Sequence, residues 1–342
     1  MILSPRGLRA ATSNVLQLAL HGHVADLRPM PAETIGEGRG RPVYRYRPPE
    51  GVVPAGPPVL FVPPPAAPAR CYDLRRGCSL AEHVVRAGRL SYLLDHGPIR
   101  SADRDLGVRE QVRDVLPGAI RAVSRDAGGQ PVQLVGWCLG GIFALLAAAA
   151  DPGLPIASVA AIAVPVDARA VRLAVPPAAV PNPARRVAGV AGAVLRSYRM
   201  LTNLDNADFL QQIEAVDHFM HTMAAYPGQT ARQIYRALLR DDALMRGGIE
   251  IGGRRVDLGA VGVPVLAIAG RGDALAPVRA VRPLVGLLGG APQVRFEIVS
   301  GGHLGVLTGR SARTTTWRHL DRWLDEGTVR HGIRAQRGAA TV

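Results

Sequence analysis

The stretch Gly136-Trp137-Cys138-Leu139-Gly140-Gly141 constrains this chain more than any other. Gln133 to Val135, just before it, read as the end of a buried strand. Ile142 to Ala150, just after it, read as a buried, alanine-rich helix. A strand that turns this sharply into a helix forces its central residue into a strained backbone state. The flanking residues must be small so that neighbouring backbone can pass close. The pattern is that of a nucleophile elbow. Cys138 would stand above the sheet at the positive end of the following helix. There a thiol loses its proton more readily, and the thiolate is the reactive form. A buried structural cysteine in a glycine-rich turn looks the same at this level, so the decision falls to the rest of the chain.

The surrounding pattern is an alternation. Residues 41–47, 59–62, 90–94, 131–135 and 155–165 read as strands, with helices at 80–87, 108–125 and 142–150 between them. Such order predicts an α/β fold: a mostly parallel central sheet with helices on both faces. In these sheets the ligand crevice lies beyond the carboxyl ends of the strands, where the elbow puts Cys138. The rhythm breaks after Asp167. Residues 168–258 carry helical segments at 207–224 and 230–240 and a hairpin at 249–256, which together read as a cap inserted over the site. Strands resume at 264–269 and 293–299, with helices at 276–288 and 311–326. The expected organisation is therefore an N-terminal helix and linker (1–40), a core (41–167 and 259–327), the cap (168–258) and a flexible basic tail (328–342).

An elbow nucleophile needs a base, and the base needs an acid to orient it. Asp273 follows the strand at 264–269, and His303 follows the strand at 293–299. Both sit in glycine-bearing turns at carboxyl ends, on the edge that carries Cys138. One helix and one strand separate them, as the topology demands. Cys138, Asp273 and His303 are the expected catalytic triad. His218 and His221 share a helix face at a spacing of three, but no further ligand joins them, and no metal is assigned. His96 lies at a strand end on the catalytic edge and reads as a hydrogen-bonded structural residue.

Composition enters here. The 342-residue chain has 41 basic residues, all arginine, and a net charge of +14. That balance suits polyanions, including the phosphates of a coenzyme. Nothing resembles a helix-turn-helix or an RNA-binding motif, so no nucleic-acid partner is expected. The three cysteines form no disulfide framework and suit a reducing compartment. No apolar run is long enough to span a bilayer. A cytoplasmic protein is the expectation.

Several segments carry a resemblance to the polyhydroxyalkanoate synthases, especially the short class that works with a second subunit. Leu134-Val-Gly-Trp-Cys-Leu-Gly-Gly141 is similar to the family's lipase-like box with cysteine in place of serine. Asp73-Leu74 with Gly77 and Ser79-Leu80, Tyr92-Leu-Leu-Asp-His-Gly97 and Val164-Pro-Val-Asp167 resemble further landmarks. Arg254–Leu258, Val263–Asp273 and Gly301-Gly-His-Leu-Gly305 follow in the same order. The likeness covers about residues 40–326. The family usually has tryptophan where His96 stands, and often an Asn-Arg-type pair where Ala66 to Ala69 stand.

The resemblance implies the α/β-hydrolase fold and an acyltransferase. Cys138 would take a 3-hydroxyacyl group from a coenzyme A thioester and pass it to a growing polyester. Coenzyme A is then part of a substrate, and no bound cofactor is implied. The Leu139 N–H and one from the loop after residue 62 would form the oxyanion hole. Pro63, Pro64, Pro65 and Pro68 have no N–H, which leaves Ala66 or Ala67. A second synthase subunit or a homodimer, and a granule surface, are the implied partners. Two other readings stay open: a thioesterase or esterase on the same fold, and a non-catalytic, granule-associated or scaffolding relative.

Overall fold

A computed structural model describes residues 4–38, 41–97, 106–171, 200, 202–223 and 228–330. The chain divides into two compact units. One comprises Met1–Pro29, Leu74–Gly77 and Arg172–His221, and the other Met30–Asp73, Cys78–Val171 and Thr222–Val342.

The larger unit is organised by an eight-stranded sheet. Its strands are β1 (Ala32–Gly38), β2 (Arg41–Tyr46), β3 (Val59–Val62), β4 (Ser91–Leu94), β5 (Val132–Trp137) and β6 (Ile156–Ile162), with a separate hairpin β7 (Ile249–Ile251) and β8 (Arg254–Val256), then β9 (Val265–Gly270) and β10 (Val294–Val299). The spatial order is β1-β2-β4-β3-β5-β6-β9-β10. The β1–β2 and β2–β4 pairs are antiparallel, and every other neighbouring pair is parallel. Every residue of β3, β4, β5 and β9 is buried. This is why these strands read as unbroken apolar runs: helices cover parallel strands on both faces. Register aligns their carboxyl ends. Val62 faces Gly136, Trp137 faces Ile162, Ile162 faces Ile268 and Val299 faces Gly270. One continuous core joins Val112, Leu116, Ile120 and Val123 to Leu134, Val159 and Val265.

Some elements differ from expectation, each for a physical reason. Ala32–Gly38, read as linker, is the edge strand β1. It carries two glycines and no apolar alternation, and it holds on to β2 by backbone pairing with a bulge between Thr34 and Gly36. The helix expected at 108–125 passes through a wide π turn at Gln111–Val115 before regular helix at Leu116–Asp126. Pro117 offers no N–H to the preceding turn, and the wider turn accommodates that loss. Pro283 similarly divides 276–288 into Val278–Val281 and Leu284–Leu287. The last helix spans Thr316–Arg330, so the expected tail begins helical. Residues 331–342 lie outside the described residues.

Of the stretch 168–258, residues 172–199, 201 and 224–227 lie outside the described residues. Helix Ala207–His221 belongs to the smaller unit. There Asn14 Nδ2 donates to Leu204 O at 2.7 Å, and Glu214 accepts the N–H groups of Val24 and Ala25 at 2.8 and 2.9 Å. Arg75, whose side chain is only 2% exposed, donates to Asp208 at 2.6 Å. Residues 228–258 group with the sheet: Leu244, Ile249, Ile251, Val256 and Leu258 are part of its core. Among the described residues no helix is long and apolar enough to cross a membrane.

Candidate active site

Cys138 occupies the turn between β5 and helix Leu139–Ala150 with φ 53° and ψ −124°. A non-glycine residue there carries strain of about 1–3 kcal/mol and persists only where its surroundings fix it. They do so here on both sides. The Cys138 N–H donates to Ile162 O at 2.9 Å, and its carbonyl accepts from Gly141 and Ile142 at 3.1 and 3.2 Å. The backbone is thus held while the thiol remains partly exposed. The three glycines of the elbow are there for lack of room. A methyl on Gly136 would lie 2.5 Å from Gly141 Cα, one on Gly140 would strike Val62 O, and one on Gly141 would strike Val164.

Asp273 and His303 come to the same edge from β9 and β10. The Asp273 side chain is fully buried and oriented by its own turn: Oδ1 accepts the N–H groups of Leu275 and Ala276, both at 2.8 Å. Its Oδ2 lies 2.8 Å from His303 Nδ1. The two turns are tied by the Gly272 N–H, which donates to Gly301 O at 3.0 Å. Gly270 permits this approach, since a methyl there would sit 2.6 Å from Val306 Cγ1 and 2.8 Å from Gly301 O. The Cys138 side chain also favours the charged form of the His303 ring. Burial opposes charging the ring, but the hydrogen bond to Asp273 and then the Cys138 side chain outweigh it, and the pKa rises to about 10. The three residues singled out in the sequence therefore meet at one sheet edge.

The oxyanion candidates separate. Leu139 opens the elbow helix. Ala66 and Ala67 are both buried in the loop after β3. The Ala67 N–H already donates to Pro64 O at 3.0 Å. Of the two alternatives for the second donor, Ala67 is therefore already engaged within its own turn. No backbone bond engages the Ala66 N–H among the described residues. His218 and His221 lie on Ala207–His221, and His221 Nδ1 meets its own helix at Asp217 O, 2.7 Å away. Among the described residues no group of histidine, cysteine, aspartate or glutamate is arranged to hold a metal.

Two supporting residues escaped the sequence reading. Trp137 donates its indole N–H to His303 O at 3.0 Å. Tyr72, fully buried, places its hydroxyl 3.0 Å from Val62 O and 2.9 Å from Val135 O, under the elbow. A buried indole or phenol needs a polar partner, and that need was the available signal.

The architecture defines the class: this is an α/β-hydrolase-fold protein. A proline iminopeptidase of Mycobacterium smegmatis superposes with TM-score 0.51 and 18% identity over 88% of this chain and 100% of that one. An α/β-hydrolase-fold protein of Nakamurella multipartita gives TM-score 0.51 and 16% identity over 86% and 99%. Within that class, the chain is similar to the poly(3-hydroxyalkanoate) polymerase subunit PhaC of Allochromatium vinosum: 25% identical over 304 residues, covering 83% of this chain and 85% of that protein. The protein of the same name from Thiocystis violacea is 22% identical over 327 residues, covering 90% and 91%. The likeness to the polyhydroxyalkanoate synthases drawn from the motifs is thus borne out by relatives spanning most of the chain. No family model matches it.

Proposed function

We propose that the protein is an acyltransferase of the polyhydroxyalkanoate-synthase type, working through an acyl-cysteine on Cys138. The observation that carries this reading is a cysteine on an elbow, beside a histidine held by Asp273 at 2.8 Å, in a chain similar to polymerase subunits along most of its length.

In the first half-reaction the proton of the Cys138–His303 pair already rests on His303, whose pKa is raised to about 10, and the Cys138 sulfur bonds to the carbonyl carbon of a 3-hydroxyacyl-CoA. The oxyanion is received by the N–H groups of Leu139 and Ala66, each such donor being worth roughly 3 kcal/mol. The carbon–sulfur bond to coenzyme A then breaks, and His303 returns its proton to the leaving thiolate. One thioester replaces another, so the step is close to thermoneutral. In the second half-reaction the hydroxyl at the end of a bound chain gives its proton to His303 and attacks the acyl-cysteine. An ester forms, and the Cys138–His303 pair regains its proton. Asp273 holds the imidazole in one tautomer and stabilises its charge.

His303 would activate water as readily as a hydroxyl, so a polymerase must exclude water while the acyl group waits. We assign that task to the insertion within residues 168–258. On this reading the protein works in the cytoplasm on the surface of the polyester it builds, with no bound cofactor, beside a second synthase subunit or a second copy of itself.

The test is incubation with 3-hydroxybutyryl-CoA, following coenzyme release and product size. Polymer with little free acid is expected. Free 3-hydroxybutyrate as the sole product would make the protein a thioesterase instead. Replacing residues 172–221 with a Gly-Ser linker should raise the ratio of free acid to polymer, and an unchanged ratio would remove the water barrier from the insertion.

A further inference from the structure

The loop after β3 is short of backbone donors. Pro63, Pro64, Pro65 and Pro68 have none, yet this loop must be placed accurately. It passes over the elbow helix so closely that a methyl on Gly140 would collide with Val62 O and the Pro63 carbonyl. Its carbonyls fix it instead. Tyr72 reaches Val62 O at 3.0 Å, the Ala67 N–H closes onto Pro64 O at 3.0 Å, and His96 Nε2 meets Pro63 O at 3.2 Å.

His96 follows the end of β4, is 5% exposed, and has its own carbonyl held by Arg41 Nη1 from β2. Pro63 O can only accept, so Nε2 carries the hydrogen. Nδ1 is then a bare acceptor, buried with no partner among the described residues. Burial, helped by the nearby Arg41 charge and opposed by the Pro63 bond, lowers the ring pKa to about 4, so the imidazole is neutral. An apolar ring would fill this site without stranding a nitrogen, and a stranded nitrogen is unfavourable. The Nε2–H bond to the loop is what the imidazole supplies and an apolar ring would not.

We propose that His96 is a positioning residue for acyl transfer: its ring N–H pins the Pro63 carbonyl and so sets the Ala66 N–H beside the elbow, where it receives the oxyanion together with the Leu139 N–H. This rests on the acyl-transfer reading of the site but not on the identity of the acyl donor.

The experiment separates the oxyanion from the thiol. p-Nitrophenyl butyrate acylates Cys138 through a tetrahedral oxyanion, whereas iodoacetamide alkylates the same sulfur by direct displacement, with no oxyanion. Both rates are measured for wild type, His96→Phe and His96→Gln, alongside thermal melts. For His96→Phe, acylation should slow by roughly 10- to 100-fold while alkylation stays within about twofold. His96→Gln keeps an N–H on a polar arm and should recover most of the acylation rate. Equal loss of both rates, or loss of neither, overturns the proposal. Failure of both variants to fold also overturns it, because His96 would then be a core residue. A wild-type protein acylated by the ester but inert toward 3-hydroxybutyryl-CoA would end the substrate reading and leave the His96 proposal standing. A wild-type protein alkylated but never acylated would end the acyl-transfer reading and the proposal with it.

Discussion

Trp137 donates its indole N–H to the backbone carbonyl of His303 at 3.0 Å, and the two rings lie 4.9 Å apart between centroids. The residue preceding the candidate nucleophile thus holds the loop of the candidate base. One side chain, 4% exposed, thereby ties the elbow to the loop that carries the base. Trp137→Phe keeps an aromatic ring, though a smaller one, and removes the donor. The stability loss should be about 1 kcal/mol in a denaturant titration. The rate of Cys138 acylation should fall roughly tenfold or more, because the base is displaced from its reacting distance. An unchanged acylation rate would show that the other ties of the His303 loop suffice.

The three cysteines should differ sharply in reactivity. Cys71 and Cys78 are wholly buried, burial drives the Cys71 thiol well upward, and Cys78 Sγ lies 2.8 Å from Thr308 O. Cys138 is partly exposed beside His303. Iodoacetamide at neutral pH should modify Cys138 first, as read by peptide mapping. Earlier modification of Cys71 or Cys78 would count against the elbow assignment.

The partly buried His303 and the buried His96 should respond to pH in opposite directions. His303, raised from 6.5 to about 10, contributes stability that is complete below its unfolded pKa and is lost as pH rises through about 10. Its proton also goes to the leaving thiolate, so the alkaline limb of the acylation profile should fall near 10; a limb near 7 would contradict this. His96, lowered from 6.5 to about 4, must be neutral to stay buried. The stability it permits is lost as pH falls from 6.5 toward about 4, by about 3 kcal/mol for a shift of this size. His96→Phe should therefore flatten the acid side of the stability curve, measured by thermal melts between those values. An equally steep acid loss in the variant would place the acid sensitivity elsewhere.

The parts of this molecule legible in its sequence are those whose patterns are local. The runs that became β3, β4 and β9 are buried on both faces and read as strands from four to six residues alone. The elbow was legible because its glycines are required by close approach within a few residues. Asp273 and His303 were legible because a strand followed by a glycine-bearing turn puts them at a carboxyl end. What escaped depends on distant partners. β1 has no apolar face of its own and exists through pairing with β2. Nothing in the residues around Arg75 marks it as buried, yet its side chain lies among Asp208, Gln211 and Gln212, more than a hundred residues away. The prolines of the loop after β3 excluded their own amides correctly. Nothing local revealed that the Ala67 N–H turns back to Pro64, or that His96 arrives from a different strand to hold Pro63.

The claim that Cys138 carries the acyl group is tested most directly by rapid quench with 3-hydroxybutyryl-CoA, followed by peptide mapping of wild type and His303→Gln. The account predicts a 3-hydroxybutyryl thioester on the Cys138 peptide of the wild type, formed as coenzyme A is released. In the variant the rate should be at least 100-fold lower with the fold intact, the scale of loss expected when a general base is removed. Coenzyme release without any adduct on Cys138, or an adduct forming at the wild-type rate in His303→Gln, would contradict it.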